Sequence, residues 1–165
     1  MSEKWLEKFD GSTIDGLIDL QSEYRIDSLV CALESRLGQK GERSTSEDLV
    51  LSICAFDREI NNGGFLQYLD NSSSGYAHRI VGDLAAIGLQ EASDRVSKLL
   101  ALIGVPGQPS YDAIQDVVRA GDRDDECPFE EEFEEFDDYF YDDVGDCSHF
   151  LWFWILSNRS QIRLS

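Results

Sequence analysis

The sequence predicts an all-α fold, a compact single-domain bundle of about seven to eight helices over residues 1–165. Three observations lead to this prediction. Apolar residues recur three and four positions apart along most of the chain, which is the spacing of one helix face. Glycines and prolines interrupt these stretches where helices would end, and no two segments offer strands that could pair. Hydrophobic residues make up 42% of the chain, enough to form a core.

The individual helices are predicted from apolar spacing and from residues typical of helix ends. Helical spacing begins at Ile14, continues to Leu37 and ends at Gly38. Ser46, followed by two acidic residues, predicts the N-cap of a long helix that ends at about Asn62. Further helices are predicted over residues 65–69, 77–87, 91–103 and 111–120.

The apolar run FLWFWIL, residues 150–156, is the densest in the chain. Its composition would also suit a strand, but no second strand is available to pair with it, so we predict a central core helix. Cys31 and Cys54 lie in apolar surroundings and are predicted to be core residues.

The overall charge restricts the classes of partner. The chain has 33 acidic and 14 basic residues, a formal net charge of −19. Direct binding of DNA, RNA or an anionic membrane needs clustered Lys and Arg, so the charge excludes a general phosphate-contact mechanism. The natural partner is basic.

No apolar stretch is long enough to cross a membrane and the N-terminus lacks a signal-peptide core, so we expect a cytoplasmic protein.

Most of the negative charge lies in one segment, residues 122–146, which has fourteen acids, one base and therefore a net charge of −13. A run of like charges is usually a disordered tail, but this one is internal and contains regularly spaced aromatic residues. We predict that its acids contact the basic partner: Asp122, Asp124, Asp125, Glu126, Glu130, Glu131, Glu132, Glu134, Glu135, Asp137, Asp138, Asp142, Asp143 and Asp146.

The aromatic residues of this segment predict an amphipathic helix. Apolar side chains recur at intervals of four, three, four and four residues: Phe129, Phe133, Phe136, Phe140 and Val144. Nine acids between Glu130 and Asp143 would then be spread over roughly 20 Å of helix, about one per 2.2 Å. Duplex DNA presents one charge per roughly 1.7 Å, so the density is similar.

A second acidic row recurs about every fourth residue in the N-terminal region: Asp10, Asp15, Asp19, Glu23 and Asp27. If these acids lie on one long helix, they would extend the negatively charged surface of residues 122–146. An ordinary solvated helix face explains the same spacing.

The segment EINNGGFLQYLDN carries the most distinctive motif, Asn61-Asn62-Gly63-Gly64-Phe65. Asparagine and glycine tolerate positive φ, so the motif is predicted to end one helix and turn into the next. Phe65 and the following apolar residues would anchor the turn in the core. The motif is therefore interpreted as structural.

The stretch EINNGGFLQYLDNSSSG, the later LAAIGL and the acidic aromatic segment together resemble a bacterial family, that of the nineteen-kilodalton DNA-mimic protein. The resemblance extends from about Ser46 to Asn158. It implies a helical domain that can form a homodimer. It also implies that the acids of residues 122–146 form a surface that imitates DNA phosphates and occupies the DNA-binding face of a basic protein, such as a helix-turn-helix repressor. We therefore predict that the partner is a basic DNA-binding protein, either a transcription factor or a nucleoid protein.

The other functional classes find less support in the residues. A calcium-binding EF-hand loop starting at Asp122 would require glycine at Cys127 and glutamate at Phe133, so we predict no metal site. The two histidines, His78 and His149, form no recognisable catalytic pattern, and Gly63-Gly64 lacks a phosphate-binding lysine. We therefore predict no catalytic residues and no cofactor. An antitoxin or immunity-type inhibitor of a basic toxin or nuclease remains the alternative, because it would use the same electrostatics.

Overall fold

A computed structural model describes residues 4–105, 110–121 and 129–165. These ranges contain eight α-helices and no β-strand, which confirms the predicted all-α class and number of helices. The helices are α1 (Ile14–Ile18), α2 (Ile26–Gly38), α3 (Thr45–Asp70), α4 (Ala77–Ala86), α5 (Gln90–Leu102), α6 (Tyr111–Gly121), α7 (Glu130–Tyr139) and α8 (Ser148–Asn158).

The chain forms two compact units. The first comprises Met1–Cys54 and Cys147–Ser165, and the second comprises Ala55–Asp146. Helix α3 contributes residues to both. That the whole chain acts as one domain stays a prediction.

In the first unit, α2 packs against α8. Leu29, Leu33 and Leu37 on α2 are fully buried, as is Ile155 on α8. The helical prediction for residues 150–156 is confirmed, but α8 is not a central core helix on all sides, because Phe153 is 67% exposed.

The start of α3 differs from the prediction. Ser44, not Ser46, caps the helix: its hydroxyl oxygen accepts a hydrogen bond from Glu47 N at 3.2 Å, and its own N–H donates to Glu47 Oε2 at 3.0 Å. This reciprocal pair is a capping box. The buried Glu47 carboxylate also accepts hydrogen bonds from Lys40 Nζ at 2.8 Å and from the backbone N–H of Arg163 at 2.8 Å, which fixes the C-terminal segment.

The expected second acidic row does not lie on one helix. Its residues are spread over the N-terminal segment, α1, a 3₁₀ turn over Asp19–Ser22 and the start of α2. Four of its five acids lie within ion-pair distance of a base: Asp10 with Lys8 (2.7 Å), Asp15 with Arg159 (3.4 Å), Glu23 with Lys4 (4.0 Å) and Asp27 with Arg25. The prediction that these acids form one continuous row on a single helix is therefore wrong.

Cys31, predicted to be in the core, is exposed, whereas Cys54 is buried as expected.

The second unit contains the remainder of α3, then α4 to α7. Helices α4 and α5 pack together across a short turn in which Gly88 adopts φ +92°. Their bounds agree with the predicted helices to within one residue. Gln115 of α6 donates a hydrogen bond to the carbonyl of Leu69 at 2.9 Å, which ties α6 to the end of α3. The core of this unit is rich in aromatic residues.

Candidate partner-binding surface

Helix α7 presents carboxylates over most of its surface. The helix is short, and acids in its first turn are favoured by the helix dipole. Every acid of α7 except Asp137 is exposed, and so are the three acids that follow the helix. These nine exposed carboxylates, which we call the acidic surface, belong to Glu130, Glu131, Glu132, Glu134, Glu135, Asp138, Asp142, Asp143 and Asp146.

Aromatic side chains on the opposite side of α7 hold it in place. Phe133, Phe136 and Phe140 are at most 5% exposed, which confirms the centre of the predicted apolar stripe. Phe65 of α3 lies 5.4 Å, between ring centroids, from both Phe133 and Phe136, and Phe56 lies 5.9 Å from Phe140. The ends of the stripe, at Phe129 and Val144, are only half-buried. Since buried aromatic packing is specific in geometry, these contacts give the acidic surface a fixed backbone.

The helix does not continue regularly to Val144. Residues Phe140–Val144 form a π-helical turn that ends at Gly145 with φ +74°. Tyr141 anchors this turn, since its hydroxyl donates a hydrogen bond to the carbonyl oxygen of Ile60 at 2.6 Å. The turn places Asp142 and Asp143 on the exposed side.

Asp137 differs from the other acids of α7 because it points into the unit. It is half-buried, and its Oδ1 accepts a hydrogen bond from the backbone N–H of Phe65 at 2.8 Å. Burial raises the pKa of Asp137 to about 6; the Phe65 N–H opposes the rise, and the carboxylates of Asp138 and Glu134 add to it. Asp137 is thus an anchor between α7 and α3, and it is not placed to contact a partner as its neighbours are.

The hydrogen bond to Asp137 depends on the glycine pair of the Asn61-Asn62-Gly63-Gly64-Phe65 motif. Both glycines leave the helical conformation, and Gly64 has φ +80° and ψ −171°. A Cβ on Gly64 would collide with Oδ2 of Asp137. The kink leaves the N–H of Phe65 available for the carboxylate, because the helical ladder is interrupted there.

The predicted turn within the motif is confirmed, but its asparagines act differently from the prediction. Asn61 and Asn62 are exposed and remain helical, so only the glycines break α3. The side chain of Asn61 donates a hydrogen bond to the carbonyl of Asp57 at 3.0 Å, one turn earlier. Phe65 is fully buried, as expected.

The chain was compared with protein families, curated proteins and solved structures. The DMP19-like protein family matches residues 42–158. The chain belongs to this family. No curated protein and no solved structure matches the chain. The matched region includes the kinked helix, α7 and the acidic surface, whereas α1 and α2 precede it. Membership in the DMP19-like family is consistent with a role as a DNA mimic.

Within the family region, the sequence analysis missed a buried carboxylate. Glu59 is 9% exposed and accepts hydrogen bonds from Gln67 Nε2 at 2.8 Å, Asn71 Nδ2 at 2.7 Å and Ser73 Oγ at 2.9 Å. Burial acts to raise the pKa of Glu59, but the three donors and the charge of Arg58 together lower it. The side-chain amides of Gln67 and Asn71 thus bind a carboxylate that lies on the other side of the kink. Glu59 precedes the kink and its three donors follow it, so the sequence gave no indication that they share an acceptor.

The position of Asp137 could have been found from the sequence. It lies four residues after Phe133 and three before Phe140, so a helical wheel puts it at the edge of the aromatic stripe. The acidic run concealed this spacing, since every acid was treated as facing outward.

The fourteen acids predicted to contact the partner are not all covered by the described residues. Asp122, Asp124, Asp125 and Glu126 lie outside the described residues. Of the remaining predicted contacts, Glu135 lies 3.9 Å from the guanidinium of Arg95, which also stacks on the ring of Tyr139 at 4.1 Å. One base therefore sits beside the acidic surface.

The described part of the chain contains no group of three or more His, Cys, Asp or Glu side chains arranged to hold a metal ion. His149 is exposed, whereas Cys147, two residues before it, is buried. Among the described helices, none is both long and apolar enough to cross a membrane.

Proposed function

We propose that this protein is a DNA mimic whose acidic surface binds the DNA-binding face of a basic protein and blocks its access to DNA. The proposed target is a transcription factor, such as a helix-turn-helix repressor, or a nucleoid protein. The protein would act in the cytoplasm of a bacterium, by binding alone and without a catalytic step or a cofactor.

The observation that carries the proposal is the dense row of exposed carboxylates on a helix fixed by aromatic packing. With Asp137 turned inward, eight exposed acids remain between Glu130 and Asp143. At a rise of about 1.5 Å per residue, they give roughly one charge per 2.5 Å. Duplex DNA has one charge per roughly 1.7 Å, so the basic face of a DNA-binding protein would meet a comparable field.

Packing supports the proposal further, because a fixed carboxylate array can imitate a rigid duplex. A disordered acidic tail would lose conformational entropy on binding. Helix α7 is instead held by Phe133, Phe136 and the Asp137 hydrogen bond before any partner arrives. Preorganisation of this kind reduces the cost of association.

The test is capture of the basic partner from a bacterial extract at low salt, followed by competition with duplex DNA. We expect DNA to displace the captured DNA-binding protein, because both ligands occupy one basic face. A partner that is indifferent to DNA would overturn mimicry and favour an immunity-type inhibitor of a toxin or nuclease.

A charge-reversal variant tests the surface itself. We expect replacement of Glu131, Glu134, Glu135 and Asp138 by Lys to abolish binding while far-UV circular dichroism stays helical. The matched control reverses four exposed acids of the N-terminal region: Asp10, Asp15, Asp19 and Glu23 to Lys. It changes the net charge by the same amount but should bind the partner with only a modest loss. If both variants bind equally well, α7 is not the contact surface.

A further inference from the structure

The kink of α3 exposes a short stretch of uncharged residues. Asn61, Asn62 and Gly63 are exposed, and Leu66, the first exposed residue after the kink, is 44% exposed. None of these four residues carries a charge. The turn is made by the backbone of the glycines and by the buried ring of Phe65, so it does not require an exposed leucine beside them.

Two hydrogen bonds hold this stretch against the acidic segment. Before the stretch, the carbonyl of Ile60 accepts from the hydroxyl of Tyr141 at 2.6 Å, and after it the N–H of Phe65 donates to Asp137 Oδ1 at 2.8 Å. The residue that follows each of these two anchors in the acidic segment is an exposed carboxylate of the acidic surface. Uncharged residues and carboxylates are therefore held side by side on the second unit.

The ring of Tyr141 is 45% exposed and adds an aromatic group to the uncharged stretch. We call the whole set the kink surface: Asn61, Asn62, Gly63, Leu66 and the ring of Tyr141. Tyrosine is enriched at protein interfaces because its rigid ring buries much area at little entropic cost.

DNA offers two kinds of contact to a protein that binds it. Phosphates pair with Lys and Arg and position the protein, whereas base edges offer hydrogen-bond donors, acceptors and the thymine methyl group to its uncharged side chains. Carboxylates alone would leave those uncharged side chains buried without partners, which costs affinity. The amide of Asn62 has donors and an acceptor, as a base edge has, and Leu66 offers methyl groups.

We infer that the kink surface contacts the base-reading side chains of the same basic DNA-binding protein that the acidic surface binds, and imitates base edges beside the phosphate-like carboxylates. The inference rests on the proposed function and adds a second part to its interface. Exposed charges steer association with any basic protein, whereas apolar and aromatic anchors contribute much of the affinity for one partner. The kink surface would therefore select among basic proteins.

The test compares Leu66→Ala with Leu102→Ala, a matched control because Leu102 at the end of α5 is also 44% exposed. Two probes are used in fluorescence anisotropy: an oligolysine peptide, which has charge but no base-reading side chains, and the purified protein that duplex DNA displaces in the capture experiment. We expect Leu66→Ala to weaken binding of the DNA-binding protein about 10-fold and to bind oligolysine as wild type does. Leu102→Ala should match wild type with both probes.

The dependence on salt separates the kink surface from the acidic surface. Asn62 is exposed and helical, so Asn62→Ala should leave the fold intact. Neither Asn62→Ala nor Leu66→Ala removes an ion pair, so both should weaken binding without changing the slope of log affinity against log salt. Glu131→Lys should reduce that slope.

The outcomes distinguish this inference from the proposed function. If both kink variants bind the DNA-binding protein as tightly as wild type, or weaken oligolysine to the same extent, the kink surface is not a base-edge mimic, although displacement by DNA still supports mimicry by the carboxylates. If DNA displaces no captured protein, the proposed function and this inference are both overturned.

Discussion

At the scale of single residues, Asp137 is the acid of residues 122–146 with the most specific structural role. Asp137 belongs to a run of carboxylates, but it fixes α7 to the kink of α3 by accepting the N–H of Phe65. Gly64 makes room for it. The acidic surface and the glycine motif, which are 72 residues apart in sequence, are therefore parts of one arrangement.

Gly64→Ala should destabilise the protein by about 1–3 kcal/mol or more, because alanine is strained at this backbone conformation and its Cβ would displace Asp137. The measurement is urea denaturation followed by circular dichroism. Gly82→Ala is the control: Gly82 lies inside α4 with open space around its Cα, so alanine there should be neutral or stabilising by up to about 1 kcal/mol. Equal stability of Gly64→Ala and wild type would show that the kink does not need glycine.

Asp137 should also make stability depend on pH. Its pKa is about 6 in the folded chain, above the ordinary value of 3.8, so the folded state binds the proton more tightly. This group's contribution to stability is therefore complete below about pH 4 and is lost as the pH rises through 6. Wild type should gain stability relative to Asp137→Asn when the pH falls from 7 to 5.

Thermal melts at both pH values measure this difference, and Asp142→Asn serves as a control for removing an exposed carboxylate from the same segment. The change in melting temperature between pH 7 and pH 5 should be the same for this control as for wild type. If the melting temperature of Asp137→Asn changes with pH as that of wild type does, the carboxyl of Asp137 does not titrate between pH 5 and pH 7.

At the scale of elements, α7 depends on tertiary contacts more than on its own sequence. Seven of its ten residues are acidic, and their mutual repulsion opposes helix formation. Short helices are marginal in isolation, so packing must supply the stability. The rings of Phe133 and Phe136 against Phe65 provide it.

Phe133→Ala should lower the free energy of unfolding by about 3–5 kcal/mol, as is typical when a buried Phe is truncated. Phe129→Ala is the matched control, because Phe129 lies one turn earlier and is only half-buried, and its loss should be clearly smaller. Chemical denaturation of both variants makes the comparison. Equal losses would mean that the aromatic stripe does not hold α7 as the structure indicates.

At the scale of the whole molecule, the negative charge is divided unequally between the two units. The first unit has eleven acids and eight bases, a net charge of −3, whereas the second has 22 acids and six bases, a net charge of −16. Ion pairs such as those of Asp15 and Glu23 compensate the N-terminal acids. The proposed mimicry therefore belongs to the second unit alone.

This distribution predicts that binding of the basic partner weakens steeply as salt rises, because the interaction is dominated by exposed charges. Titration calorimetry or fluorescence anisotropy at a series of salt concentrations measures the slope. Reversal of the N-terminal acids should leave the slope almost unchanged, whereas a single reversal on α7, such as Glu131→Lys, should reduce it. An affinity that does not change with salt would contradict an electrostatic contact.

The sequence by itself determined the helical class, most helix bounds, the break at Gly63-Gly64 and the acidic helix with its aromatic stripe. All of these follow from local spacing and from the conformational limits of glycine, so they can be read without knowing the fold. Tertiary structure alone decided the inward turn of Asp137, the three donors that surround Glu59, the ion pairs that break up the N-terminal acidic row and the exposure of Phe153. Each of these depends on which distant residues become neighbours, and periodicity along a chain contains no information about distant neighbours.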